Sequence, residues 1–116
     1  MRILGICSPR ERVTNLIKKC FTPDCGENEI IWMANGLVNP CATIVFNFTK
    51  ACSAGGTIQI TLTRNNGTTR VITLNQGESR AITIDGIDEI EVMCSGNADQ
   101  GTCAINMCMI IHYDRC

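Results

Sequence analysis

Catalytic and carbohydrate-binding chemistry has little to draw on in this chain. It holds one histidine, one tryptophan and one tyrosine, and aromatic residues make up only 4% of it. A sugar site wants exposed rings, and only Trp32 and Tyr113 are obvious candidates to supply them. The lone imidazole, His112, falls near the end of the last strand-like segment rather than on a loop, a poor place for a cysteine–histidine pair. No G-x-S-x-G elbow, phosphate-binding loop or acid–base pair is present, so no catalytic residue is assigned. Charge is balanced, with 10 basic and 11 acidic residues and a net charge of −1, which removes the electrostatic case for nucleic acid or an anionic membrane. No apolar run approaches the roughly 18 to 20 residues of a membrane helix. The opening MRILGIC offers an apolar stretch shorter than the roughly 7 to 15 residues of a signal-peptide core. It therefore reads as a chain made without a signal peptide. LGIC has the form of a lipoprotein box, but no hydrophobic leader precedes it.

Cysteine is what the chain has in excess: nine in 116 residues, close to the density of disulfide scaffolds. Thiols in reducing compartments stay unpaired, so this composition points to an oxidising environment while the N-terminus shows no export signal. Synthesis inside a cell followed by oxidation after release reconciles the two. The odd count leaves at least one thiol for a partner chain or unpaired. Zinc is disfavoured, because no CxxC occurs and the best spacings are Cys20-x4-Cys25 and Cys103-x4-Cys108. On one strand a separation of five sends two side chains to opposite faces. Neither a metal nor any other cofactor is expected.

The length suits one domain with its own core. Ser8-Pro9-Arg10-Glu11 reads as a capping box with proline at the first helical position. Val13, Leu16 and Ile17 follow at i, i+3, i+4, and Lys18 and Lys19 suit a helix C-terminus. This pattern predicts a short helix over residues 9–19, then a turn around Pro23-Asp24-Cys25-Gly26. From residue 28 the pattern is β throughout. Strands are expected over 29–33, 41–49, 57–64, 69–74, 79–85, 88–94 and 103 to about 113. Ile58, Ile60 and Leu62 alternate with Thr57, Gln59, Thr61 and Thr63, and Asn66-Gly67 marks a hairpin. Glu89 and Glu91 share a face that reads as solvated. The sequons at Asn47 and Asn66 read as fortuitous without an export signal. The fold class is therefore an all-β sandwich or barrel, with an N-terminal arm over 1–27 ahead of a β-domain over 28–116.

In the last strand, Ile105, Met107, Met109 and Ile111 make the core face, which puts Cys108 outward with Asn106, Ile110 and His112. Cys103 has core-facing parity at the strand's start. Cys108 and Cys116 would lie about 26 Å apart on an extended strand, too far to pair. An outer face rich in threonine and poor in lysine leaves strand edges open to pairing with another chain.

The stretches EIIWMANG, GTIQITLTRNNGTTRVITLNQGESRAITIDGIDEIEVMCSG and CMIIHYDRC, in that order, resemble the subunits of bacterial endospore appendages. The resemblance spans about residues 28 to 113. It implies an eight-stranded jelly-roll β-sandwich and lateral contacts by sheet augmentation. It also implies an N-terminal connector that forms disulfides in a neighbouring layer. Cys108 matches the family's last-strand cysteine, which receives such a bond, and Cys7, Cys20 and Cys25 are candidates on the connector side. Cys41, Cys52, Cys94, Cys103 and Cys116 are further disulfide candidates without an assigned family position. No adjacent cysteine pair, a mark of one fibre subtype, is present. The implied function is that of a self-assembling structural subunit of a disulfide-crosslinked spore-surface fibre, with itself as partner and other spore-surface proteins as further candidates. An anchor tying such a fibre to the exosporium or coat, and a ligand- or carbohydrate-binding jelly roll, are the alternatives.

Overall fold

The computed structural model describes residues 11–97 and 101–115, which hold eight strands and no helix. The expected helix over 9–19 is corrected in its described part: Glu11–Phe21 is a strand, β1. Every residue of β1 pairs antiparallel with the last strand, β8 (Ala104–Arg115), from Glu11↔Arg115 to Phe21↔Ile105. The apolar residues of this segment fit two periods. Val13, Ile17 and Phe21 share one strand face, and Ile17 and Phe21 pack on the core, while Leu16, counted toward the helix, stays 58% exposed. A helix this short is marginal alone and needs a surface to pack on. An eleven-residue ladder satisfies the same backbone groups without one. Residues assigned to the connector arm thus form the edge of a sheet; Ser8 and Pro9 lie outside the described residues.

Between these two strands come β2 (Asn28–Met33), β3 (Val38–Lys50), β4 (Thr57–Arg64), β5 (Thr69–Asn75), β6 (Ser79–Asp85) and β7 (Ile87–Ser95). They form two antiparallel four-stranded sheets, β1-β8-β3-β6 and β2-β7-β4-β5. Consecutive strands mostly alternate between sheets, the double Greek key of a jelly roll. Only β4 and β5 are hairpin neighbours. Their turn is tied by Asn66, whose Oδ1 accepts from the Thr68 N–H at 3.0 Å and from its hydroxyl at 2.7 Å. Asn35-Gly36, with φ of 51° and 85°, turns the chain from one sheet to the other.

The alternation read from the sequence sets the core. Ile58, Ile60 and Leu62 from β4, Ile90 and Val92 from β7, and Ile105, Met107, Met109 and Ile111 from β8 are buried between the sheets. Two of the chain's three phenylalanines, Phe46 and Phe48 on β3, fill the middle. No polar side chain is buried among the described residues, so the sandwich interior is held by apolar packing, with the Cys94–Cys103 disulfide set into one end of it.

Candidate functional site on the outer face of the first sheet

The even-numbered residues of β1 and β8 point away from the core, and so do the odd-numbered residues of β3 between Cys41 and Asn47. The registers align them into rows across the sheet. Lys18, Cys108 and Val45 form one row; Cys20, Asn106 and Asn47 form the next, with Ser79 of β6 donating to the Asn47 side-chain oxygen. Cys20 and Cys108 are therefore diagonal neighbours on adjacent strands. Both line a shallow groove with Lys18, Lys19, Asn47 and Asn106. One row beyond Cys108, Leu16 and Ile110 face each other and remain 58% and 41% exposed. An apolar pair left in solvent on a sheet face thus stands in the row next to Cys108 and two rows from Cys20.

Further along the same face lies the row Thr14, His112, Cys41, Asp85. Thr14 Oγ1 and His112 Nδ1 share a hydrogen bond of 2.7 Å. Asp85 stands opposite Cys41 across the β3–β6 ladder. Its carboxylate as a hydrogen-bond acceptor first, then partial burial and the Asp85 charge, raise the Cys41 pKa above the ordinary thiol value against a smaller lowering by Arg12. An activated thiol gives its proton to an imidazole that a carboxylate orients. Here the carboxylate holds the thiol itself, which keeps the proton on sulfur and makes Cys41 a weak nucleophile. At the end of the face Arg12 Nη1 donates to Asp114 at 2.9 Å and to the Asn39 carbonyl at 3.0 Å, and Asn39 Nδ2 donates to Asp114 at 2.8 Å. These contacts join β1, β3 and β8.

Cys20, Cys41 and Cys108, the free cysteines among the described residues, thus share one face of one sheet. Four others are bonded within the chain. Cys25 joins Cys52, although the sequence reading had Cys25 as a candidate for a bond between chains, and Cys94 joins Cys103. Cys7 and Cys116 lie outside the described residues. In each of the two pairs with the best zinc spacing one cysteine is in a disulfide, Cys25 or Cys103, while the other, Cys20 or Cys108, is free on the outer face. Sequence reasoning missed the convergence of Cys25, Cys52 and Cys94, which come from three separate segments. The one local signal was Cys94 and Cys103 flanking a loop rich in turn residues.

A family profile described as "Enas: Endospore appendages" matches residues 4–115. The chain belongs to this family. Among solved structures, this endospore appendage chain is similar to one from work described as "Bacillus endospore appendages form a novel family of disulfide-linked pili". The TM-score is 0.75 at 17% identity, covering 97% of each chain, which establishes a shared fold. A chain of the infectious bursal disease virus Gx strain aligns with a TM-score of 0.44 at 13% identity, over 98% of this chain and 36% of its own. No curated protein matches the chain in sequence.

Proposed function

We propose that the chain is a self-assembling structural subunit of a disulfide-crosslinked fibre on the endospore surface. The observation that carries this reading is the outer face of the first sheet, where Cys20 and Cys108 line a groove beside the exposed Leu16–Ile110 pair. Membership of the endospore appendage family and the fold shared with a disulfide-linked pilus protein support it. In this reading the residues ahead of β1, with Cys7, act as the connector and lie on that face of a neighbouring subunit. Cys108 or Cys20 accepts the bond, whereas Cys41, held protonated by Asp85, does not. Both sheets are open, with β1 and β6 at the edges of one and β2 and β5 at the edges of the other. Edge pairing with neighbours then sets the lateral geometry. The noncovalent contacts place subunits, and the disulfides remove dissociation as a route to failure.

The test is non-reducing against reducing electrophoresis of the purified chain, with negative-stain microscopy and peptide mapping. Reducible ladders, ordered rings or fibres and a Cys7–Cys108 or Cys7–Cys20 peptide are the expected result. Replacing Ile110 with Asp should abolish ordered assemblies and leave the fold intact, since the side chain lies outside the core. Monomers whose cysteines all pair internally would remove the reading. Soluble oligomers that never elongate would favour the anchor role instead.

A further inference from the structure

The two intrachain disulfides are not independent. Cys25 follows β1, Cys52 follows β3, Cys94 is the last residue but one of β7 and Cys103 precedes β8, yet all four meet at one end of the sandwich. The Sγ atoms of Cys25, Cys52 and Cys94 lie within 4.8 Å of one another, and the Cys103 sulfur is bonded to that of Cys94. Backbone hydrogen bonds hold most of this convergence without help from sulfur. The Cys25 N–H donates to the Gly101 carbonyl at 2.9 Å, the Gly26 N–H to the Cys94 carbonyl at 2.6 Å, and the Cys103 N–H to the Pro23 carbonyl at 2.9 Å. Gly96 makes the close approach possible: a Cβ there would stand 2.7 Å from Cys52 Sγ and 3.4 Å from Cys25 Sγ. These backbone bonds join the Cys25, Cys94 and Cys103 segments, and the Asn97 N–H, donating to the Ser53 hydroxyl at 2.8 Å, keeps the Cys52 segment beside them, so that four thiols stay gathered when the disulfides are reduced.

We propose that in the reduced chain Cys25, Cys52, Cys94 and Cys103 form a tetrathiolate site for one thiophilic divalent cation of the zinc class, and that oxidation to the two disulfides closes it. Geometry allows the exchange. Four sulfurs at about 2.3 Å from zinc stand about 3.8 Å apart. Each bonded pair, about 2.05 Å in a disulfide, must open by less than 2 Å, and the gaps from Cys94 to Cys25 and Cys52 must close by no more than about 1 Å. Side-chain rotation covers both. The Cys103 sulfur, bonded to Cys94 but outside that 4.8 Å group, must swing further, toward Cys25 and Cys52, by rotation about its Cα–Cβ bond. The donor set is all sulfur, which selects soft and borderline cations over magnesium or calcium. Burial also fits a closed structural site. Cys94 and Cys103 are inaccessible, while Cys25 and Cys52 are half-buried and leave an entry path.

Release of the ion is balanced. Each pair of thiolates gives two electrons to a small-molecule disulfide, which takes up two protons and leaves as two thiols. Two such exchanges form Cys25–Cys52 and Cys94–Cys103 and free the cation. The site would hold this end of the sandwich together in a reducing compartment, before any oxidant reaches the chain. The inference does not rest on the fibre reading, and failure to form fibres leaves it standing.

The experiment uses the full chain, reduced with a phosphine under oxygen-free conditions and titrated with cobalt(II) alone and then zinc(II). The expected result is one cobalt per chain with the absorption of a tetrahedral tetrathiolate, displaced by zinc. It should persist in the Cys20→Ser/Cys41→Ser/Cys108→Ser variant and be lost in Cys52→Ser and in Cys25→Ser. Oxidised glutathione should then release the zinc, with peptide mapping recovering the two native disulfides. Circular dichroism follows the fold throughout. If the reduced chain binds no stoichiometric cobalt, folded or unfolded, the proposal fails. It fails equally if binding survives Cys52→Ser and disappears in the triple variant.

Discussion

Removing each disulfide as a pair tests what holds the cysteine-rich end of the sandwich. Cys25–Cys52 spans a sequence separation of 27 and Cys94–Cys103 one of 9. Constraint of the unfolded chain then contributes about 3.6 and about 2.6 kcal/mol respectively. Burial runs the other way. Cys94 and Cys103 are both 0% exposed, so truncating them to alanine loses about 0.8 kcal/mol of transfer energy at each site, and roughly half that at the half-buried outer pair. The two double-alanine variants should therefore lose nearly equal stability, about 4 kcal/mol each. Serine separates them. At 94 and 103 it places two hydroxyls in an interior with no buried polar partner, at about 1 to 3 kcal/mol per group. At 25 and 52 the hydroxyls reach solvent. Cys94→Ser/Cys103→Ser should be at least about 2 kcal/mol worse than its alanine counterpart, and the outer pair should show under about 1 kcal/mol between serine and alanine. Urea unfolding followed by circular dichroism, with free thiols blocked by iodoacetamide, measures all four. Two alanine pairs differing by more than about 2 kcal/mol would refute the loop-entropy account. Equal serine and alanine values at 94 and 103 would refute the burial account.

Three other outcomes follow from named contacts. Phe48→Ala should cost about 3 to 5 kcal/mol in the same assay, because that ring is only 1% exposed between the sheets. Gly96→Ala should destabilise by about 1 to 3 kcal/mol, since its Cβ would meet Cys52 Sγ at 2.7 Å and the Ser53 hydroxyl; a neutral substitution would mean that the loop shifts freely. The Cys41 pKa is raised, so the protonated thiol is favoured in the folded chain. Its contribution to stability is full below the unfolded-state pKa and is lost as pH rises through the higher folded one. Asp85→Asn should accordingly move the pH profile of Cys41 alkylation, read by mass spectrometry, to lower pH; an unmoved profile would show that Asp85 does not hold the proton.

The outward face gives these thiols distinct chemistry. Cys20 and Cys108 open onto a groove with two lysines, next to an exposed apolar pair, and Cys41 stands opposite a carboxylate, two rows from Cys108 and three from Cys20. A face that distinguishes its thiols in this way can direct a crosslink to one site. Simple proximity among equivalent cysteines could not.

The strands from residue 28 onward were legible because alternation is a local property: Ile58, Ile60 and Leu62, or Ile105 to Ile111, announce a buried face whichever strand lies alongside. The same local signal failed at β1. Val13, Leu16 and Ile17 satisfy a helical period, and the choice went to the strand because β8 supplies a ladder that no local pattern reveals. Cys108 outward and Cys103 inward were likewise readable from parity. By itself, then, the sequence determined the β class, the core-facing residues of the alternating strands from residue 28 onward, and the directions of Cys103 and Cys108. Only the tertiary structure decided that Cys25 meets Cys52, that Cys94 meets Cys103, and that Cys20, Cys41 and Cys108 share a face. Those facts depend on which strands become neighbours in a jelly roll, and neighbours far apart in sequence leave no periodicity behind.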